Sequence, residues 1–209
     1  MRFGGLQRFS LCDYPGKMAA VVFTQGCNFR CPFCHNGALL PSRNPEQEIG
    51  EADILAFLHK RRGLLEGVVI TGGEPTLHPD LADFCRTVRD MGFLVKLDTN
   101  GSRPRALEYL LADNLVDFIA MDVKATPERY HILAGVPVEP ARIMSSIGII
   151  SRAGIPAMFR TTWVDGLHRP EERELIPAML PPSMQHVFQP FRPENALRPD
   201  LCGSFSTNS

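Results

Sequence analysis

Six short runs of β-branched and apolar residues recur along this chain with amphipathic stretches between them, and that alternation limits the possible folds more than any other feature. The runs are AAVVFTQ from Ala19, GVVIT from Gly67, FLVKLD from Phe93, VDFIAMD from Val116, PAMFRTT from Pro156 and HVFQPF from His186. The stretches beginning at Glu51, Pro79, Arg105 and Pro140 carry apolar residues at three- and four-residue spacing, the signature of a helix with one buried face. Parallel strands need helical crossovers, and these crossovers are right-handed, so the pattern predicts an α/β fold. Six such units make either an open doubly wound sheet or a curved, incomplete barrel, and periodicity does not separate the two. With 209 residues, 44% of them hydrophobic, one substantial core is within reach.

The unusual residues follow the strands. TQGC comes after the first run, TGGEP closes the second, LDTNG the third and MDVK the fourth. Chemistry is therefore expected at the carboxyl ends of the strands, where α/β folds of both kinds bind ligands.

The first of these strand ends leads into GCNFRCPFCHN, in which Cys27, Cys31 and Cys34 are spaced C-x3-C-x2-C. A cubane iron-sulfur cluster normally takes four thiolates, so three close together with no fourth nearby leave one iron open. The competing reading is a zinc knot in which His35 supplies the fourth ligand, but zinc sites usually join two separated ligand pairs, and here every cysteine lies in one short loop. In TGGEP, paired glycines are by themselves no more than a tight turn, yet they also let backbone approach a ligand closely. Asp98 and Asp122 would each serve as a helix cap if nothing else engaged them.

Cys27, Cys31 and Cys34, with Phe33 before the last of them, resemble the motif of the radical S-adenosylmethionine (radical SAM) enzymes. That resemblance implies a partial (β/α)6 TIM-type barrel with the cluster loop after the first predicted strand. It also implies a [4Fe-4S] cluster whose open iron is chelated by the amino and carboxylate groups of S-adenosylmethionine. Phe33 would lie near the adenine, and Gly72, Gly73 and Glu74 would meet the amino group of the methionine moiety. A narrower resemblance, carried by DYPG near the start, CHN after the cysteines, LDTNG and MDVK, is to the activating enzymes of glycyl radical enzymes. It implies that Asp98, Thr99 and Asp122 hold a monovalent cation, with Lys124 and Arg160 facing the cofactor carboxylate; for the last two the alternative is an ordinary ion pair.

The activity so implied is reductive cleavage of the cofactor to methionine and a 5′-deoxyadenosyl radical, which takes a hydrogen atom from a glycine Cα of a partner glycyl radical enzyme. Little of the chain is left to roof the barrel, which suits a protein substrate inserting a loop. The compact form beginning GGLQRFSLCDYPGK looks most like activators of the anaerobic ribonucleoside-triphosphate reductase. A pyruvate formate-lyase-type partner, or a small-molecule reaction such as that of a 7-deazapurine synthase, is the alternative. The electron is expected from a flavodoxin- or ferredoxin-type donor. Residues 35 to 84 hold no further cysteines, against a second cluster, and Arg192 in PFRP stands where certain relatives place a histidine.

The balance of 22 basic and 23 acidic residues carries no global signature for nucleic acid or an anionic membrane. The amino terminus has no apolar stretch of signal-peptide length and no segment approaches a membrane span, so a cytoplasmic location is expected. Residues 1–192 are read as the barrel domain and 193–209 as a weakly ordered tail. Of the scattered cysteines, Cys85 lies on an apolar helical face, and Cys12 and Cys202 have no partner pattern.

Overall fold

In a computed structural model, which describes residues 1–40, 48–194 and 196–201, all six predicted runs form parallel strands. They are β2 (Ala19–Thr24), β3 (Gly67–Gly72), β4 (Leu94–Thr99), β5 (Phe118–Asp122), β6 (Ala157–Trp163) and β7 (Gln185–Pro190). A seventh strand, β1 (Phe3–Ser10), pairs antiparallel with β2 at the edge. Its sequence, FGGLQRFS, has two glycines and no sustained alternation, so nothing in its pattern marks a strand.

The strands lie in the order β1-β2-β3-β4-β5-β6-β7, each beside its sequence neighbour. A doubly wound sheet would reverse direction at a switch point, whereas right-handed crossovers between successive neighbours keep every helix on one face and curl the sheet into an open, barrel-like arc. The partial barrel expected from the cysteine motif is therefore the fold. The cluster loop follows β2 in the observed numbering, because β1 precedes it.

The helices are α1 (Glu51–His59), α2 (Leu81–Asp90), α3 (Pro104–Ala112), α4 (Tyr130–Ala134), α5 (Pro140–Ser151) and α6 (Glu172–Ala178). Periodicity finds four of them. It misses α4, which at five residues is too short to show a period, and α6, which carries Pro177.

Two-residue alternation divides the strands between two environments. Ala20, Val22, Val68, Ile70, Val95, Leu97, Ile119 and Met121 join the core beneath the helices. On the concave side, Ala19, Val21 and Val69 close the bottom of the barrel with Tyr14, Phe23, Leu94 and Phe118. Above this apolar plug the concave side turns polar, and the site lies there.

The chain beyond Phe191 does not leave the barrel at once. Leu197 N–H donates to Cys34 O at 3.0 Å and Arg198 N–H to Pro32 O at 2.8 Å, so these two residues lie beside the cluster loop. The rest of the expected tail, with Cys202, lies outside the described residues.

Candidate active site

A charged layer lines the concave face above the plug. Asp98 sits opposite Ala120 in the β4–β5 register, and Asp122 opposite Arg160 in the β5–β6 register. The Arg160 guanidinium bridges both carboxylates, with Nη1 3.1 Å from Asp98 Oδ2 and Nε 2.9 Å from Asp122 Oδ1. Lys96, itself 2% exposed, pairs with Asp98, and Lys124 Nζ lies 3.5 Å from Asp122 Oδ2. Burial raises the Asp122 pKa, but Arg160 and Lys124 outweigh it and hold the carboxyl below its ordinary value. For Lys124 and Arg160 burial works downward, and their anionic neighbours win, keeping both cations charged.

Between the two carboxylates, where a monovalent cation was expected, stands Arg160. Two acids on neighbouring strands need a positive charge between them, and a side chain of the next strand supplies it. Thr99 turns away from this pair: its hydroxyl donates to Glu74 Oε1 at 2.8 Å.

The cluster loop is built by close backbone approach. Gly73 N–H donates to Thr24 O and Glu74 N–H to Gly26 O, tying the end of β3 to the loop leaving β2. A Cβ on Gly73 would stand 2.0 Å from Gly26 O, and one on Gly72, whose φ is +108°, 2.5 Å from Thr24 N. The glycine pair thus admits the cluster loop itself. On the far side Arg30 N–H donates to Ala134 O at 2.8 Å, and Arg30 Nη1 donates to the carbonyls of Cys27 and Phe29.

Cys27, Cys31 and Cys34 all reach one cavity of about 410 Å³, with Phe33 beside them. Gly72, Gly73 and Thr99 form its wall, and Asp98, Asp122, Lys124 and Arg160 its charged end. Lys124 Nζ stands 5.7 Å from the centre of the Phe33 ring, linking the two ends. Burial pushes the Cys27 thiol up to about 11 and the Cys31 thiol up to about 12. Thiols so desolvated lose their protons readily only to a metal.

Glu74 is the exception among the expected cofactor contacts. It is fully buried and does not line the cavity. Its carboxylate accepts from Thr76 N–H, the Thr76 hydroxyl, the Thr99 hydroxyl and, at 2.7 Å, Asn100 N–H. Burial pushes its pKa up against these four bonds. Glu74 therefore braces the end of β3 against the end of β4.

Asn36 and Asn100, which sequence reasoning passed over, complete the site together with His35, which it weighed only as a zinc ligand. Asn36 Nδ2 donates to Gly72 O at 2.9 Å, Asn100 reaches towards Cys27, and His35 stacks on Phe191 with Nε2 2.6 Å from Arg192 O. His35 and Asn36 lie in CHN and Asn100 in LDTNG, two strings that carry the narrower resemblance. The bond to Arg192 O also turns His35 towards the end of β7 and away from a zinc knot. Among the described residues no three His, Cys, Asp or Glu side chains are grouped to hold a single metal ion.

Residues 21–176 match the radical SAM superfamily. The chain is a radical SAM protein. It is 31% identical, over 92% of its own length and 80% of the relative's, to a protein of Methanocaldococcus jannaschii provisionally named as a glycyl-radical enzyme activating enzyme. It is 30% identical to the pyruvate formate-lyase-activating enzyme of Streptococcus mutans, over 77% of this chain and 64% of that one. A 7-carboxy-7-deazaguanine synthase of Synechocystis is 34% identical over 44% of this chain and 42% of its own. Among solved structures, Streptococcus suis SuiB bound to S-adenosylmethionine superposes with a TM-score of 0.60 at 16% identity, covering 76% of this chain and 36% of SuiB. That likeness is one of fold.

The cofactors of this radical SAM protein are a [4Fe-4S] cluster and S-adenosylmethionine. Its residues suit both. Three thiols spread around one cavity match a cluster better than a lone ion, and Lys124 and Arg160 line its far end as the cations that a ligand carboxylate requires. No helix among the described residues is long and apolar enough to cross a membrane.

Proposed function

We propose that this radical SAM protein activates a glycyl radical enzyme by taking a hydrogen atom from a glycine Cα of that partner, with the anaerobic ribonucleoside-triphosphate reductase as the favoured partner. The extent of likeness carries the reading. It runs along 92% of this chain for the relative provisionally named for that activity, against 44% for the deazaguanine synthase.

In this reading Cys27, Cys31 and Cys34 bind three irons, and the fourth is left for S-adenosylmethionine. Bound together, cluster and cofactor supply one-electron cleavage of a sulfonium and a carbon radical able to take a hydrogen atom. The chain contributes position and charge. Phe33 offers an apolar face for the adenine, and Gly72 and Gly73 bring bare backbone to the cofactor's amino group. Lys124 and Arg160 complement its carboxylate, while Asp98 and Asp122 hold those cations in place. Glu74 acts at one remove, by fixing the strand ends. A flavodoxin- or ferredoxin-type protein would deliver the electron, in the cytoplasm.

The test is anaerobic reconstitution with each candidate partner, S-adenosylmethionine and dithionite, read by electron paramagnetic resonance. A glycyl radical on the reductase is expected. Deoxyadenosine formed with no protein radical on any partner would overturn the reading, and turnover of a small-molecule substrate, with candidates added in turn, would replace it with the deazapurine one.

A further inference from the structure

Cys27 differs from the other two cysteines in what surrounds its sulfur. Phe29 N–H donates to Cys27 Sγ at 3.3 Å, and Asn100 Nδ2 lies 3.9 Å from the same atom, within the reach of the larger sulfur. Among the described residues, no such donor is seen at Cys31 or Cys34 Sγ.

The Asn100 amide cannot turn round. Its Oδ1 accepts from the backbone N–H of Ser102 at 2.9 Å, a donor whose direction is not open to choice, so the NH2 end must face the cysteine. One of its hydrogens goes to Asn28 Oδ1 at 3.0 Å, and Asn28 Nδ2 in turn donates to Ser102 Oγ at 2.9 Å. The other hydrogen is left for Cys27. Behind the side chain, Asn100 N–H is held by the buried Glu74 carboxylate, and Asn100 itself is only 6% exposed, so little water competes for the sulfur. Nothing in this arrangement is needed merely to close the turn, which Gly101 already permits with its φ of +72°.

We propose that Asn100 is a positioning and tuning residue whose side-chain N–H, aimed by Ser102 and Asn28, hydrogen-bonds the Cys27 sulfur and raises the reduction potential of the cluster. The proposal rests on the reading of Cys27, Cys31 and Cys34 as cluster ligands. An N–H donor at a ligand sulfur favours the form with more negative charge, and taking up one electron makes the cluster more negative. Asn100 thus eases the electron's entry by acting on the Cys27 sulfur.

The experiment is a redox titration of the reconstituted protein with dithionite as the electron source, following the paramagnetic reduced cluster. Asn100→Leu removes the donor, and Asn100→Asp removes it while keeping an oxygen for Ser102, so the second variant answers if the first does not load. Ser102→Ala breaks only the bond to Asn28 and leaves the donor in place. At a fixed solution potential, both Asn100 variants are expected to show about tenfold less reduced cluster relative to oxidised, about 59 mV for one electron, and Ser102→Ala to match the wild type. Fully loaded Asn100 variants at the wild-type potential would overturn the proposal alone. A wild type that takes up no cluster would sink the ligand reading, and this proposal with it.

Discussion

Arg160→Met removes one charge and keeps most of the apolar stem, and the structure sets the size of the effect. An exposed ion pair contributes about 0–1 kcal/mol, whereas stripping one partner from a fully buried pair costs about 3–5 kcal/mol. Asp98 is 13% and Asp122 35% exposed, and each keeps a lysine after Arg160 is gone. The cost should therefore fall between those limits, at about 2 kcal/mol. For a chain of this length that lowers the midpoint of thermal unfolding by about 4–8 °C. The pH dependence has a definite sign. Asp122 has its folded pKa depressed below an ordinary 3.8, so it adds stability that is present above that value and lost as pH falls through the folded pKa. Arg160 supplies part of that depression, so the wild type's advantage over Arg160→Met should be complete at neutral pH and narrow below about pH 4.

The same variant asks what stands between the carboxylates. Without the guanidinium, Asp98 and Asp122 would face each other across a gap that a small cation can enter. Potassium, sodium and lithium salts at equal ionic strength should then shift the melting of Arg160→Met differently and leave the wild type alike in all three. Melting curves of the apoprotein followed by circular dichroism are sufficient. An Arg160→Met midpoint within 1 °C of the wild type, or a wild type that discriminates among the three cations as the variant does, would refute the reasoning.

Three further outcomes follow from the site. Replacing Cys27, Cys31 or Cys34 by alanine should abolish stable cluster binding, checked by iron and sulfide content after anaerobic reconstitution; stoichiometric zinc without iron in the wild type would contradict it. Glu74→Ala leaves the N–H groups of Thr76 and Asn100 buried and unpaired, at about 1–3 kcal/mol each, so chemical denaturation should show a large loss, whereas the folded remainder binds S-adenosylmethionine within threefold of the wild type. Gly73→Ala drives a methyl group into Gly26 O and should cost about 2 kcal/mol or more, with cluster content falling in parallel because the same contact shapes the cysteine loop.

How much of this was legible in the sequence depended on the kind of signal involved. Parallel strands buried on both faces, such as AAVVFT and GVVITG, declare themselves as short apolar runs, and the cysteine trio needs only its spacing. An edge strand half exposed to water, as in β1, has no such requirement, and its Gly4 and Gly5 read as turn residues. Charges were harder. Alternation already places Lys96 and Asp98 on one face of β4, but the bridge from Arg160 to both aspartates depends on the register of three strands, which no local pattern contains.

Glu74 shows where the limit lies. A carboxylate after GG at a strand end looks the same in sequence whether it greets a ligand or accepts bonds from its own chain. What decides is how many donors the fold delivers to it, and here four arrive from Thr76, Thr99 and Asn100. A buried carboxylate with that many partners has little capacity left for a ligand, and moving it would strand the backbone N–H groups of Thr76 and Asn100, just beyond the ends of β3 and β4. In the proposed reading the ligand-facing task belongs instead to Lys124 and Arg160, which line the cavity beside Asp98 and Asp122. The site thus separates a rigid carboxylate that braces the end of β3 against the end of β4 from a pair of carboxylates that keep the cations charged and in place. Asn100 connects the first of these to Cys27, and through it the rigidity of the strand ends reaches the sulfur.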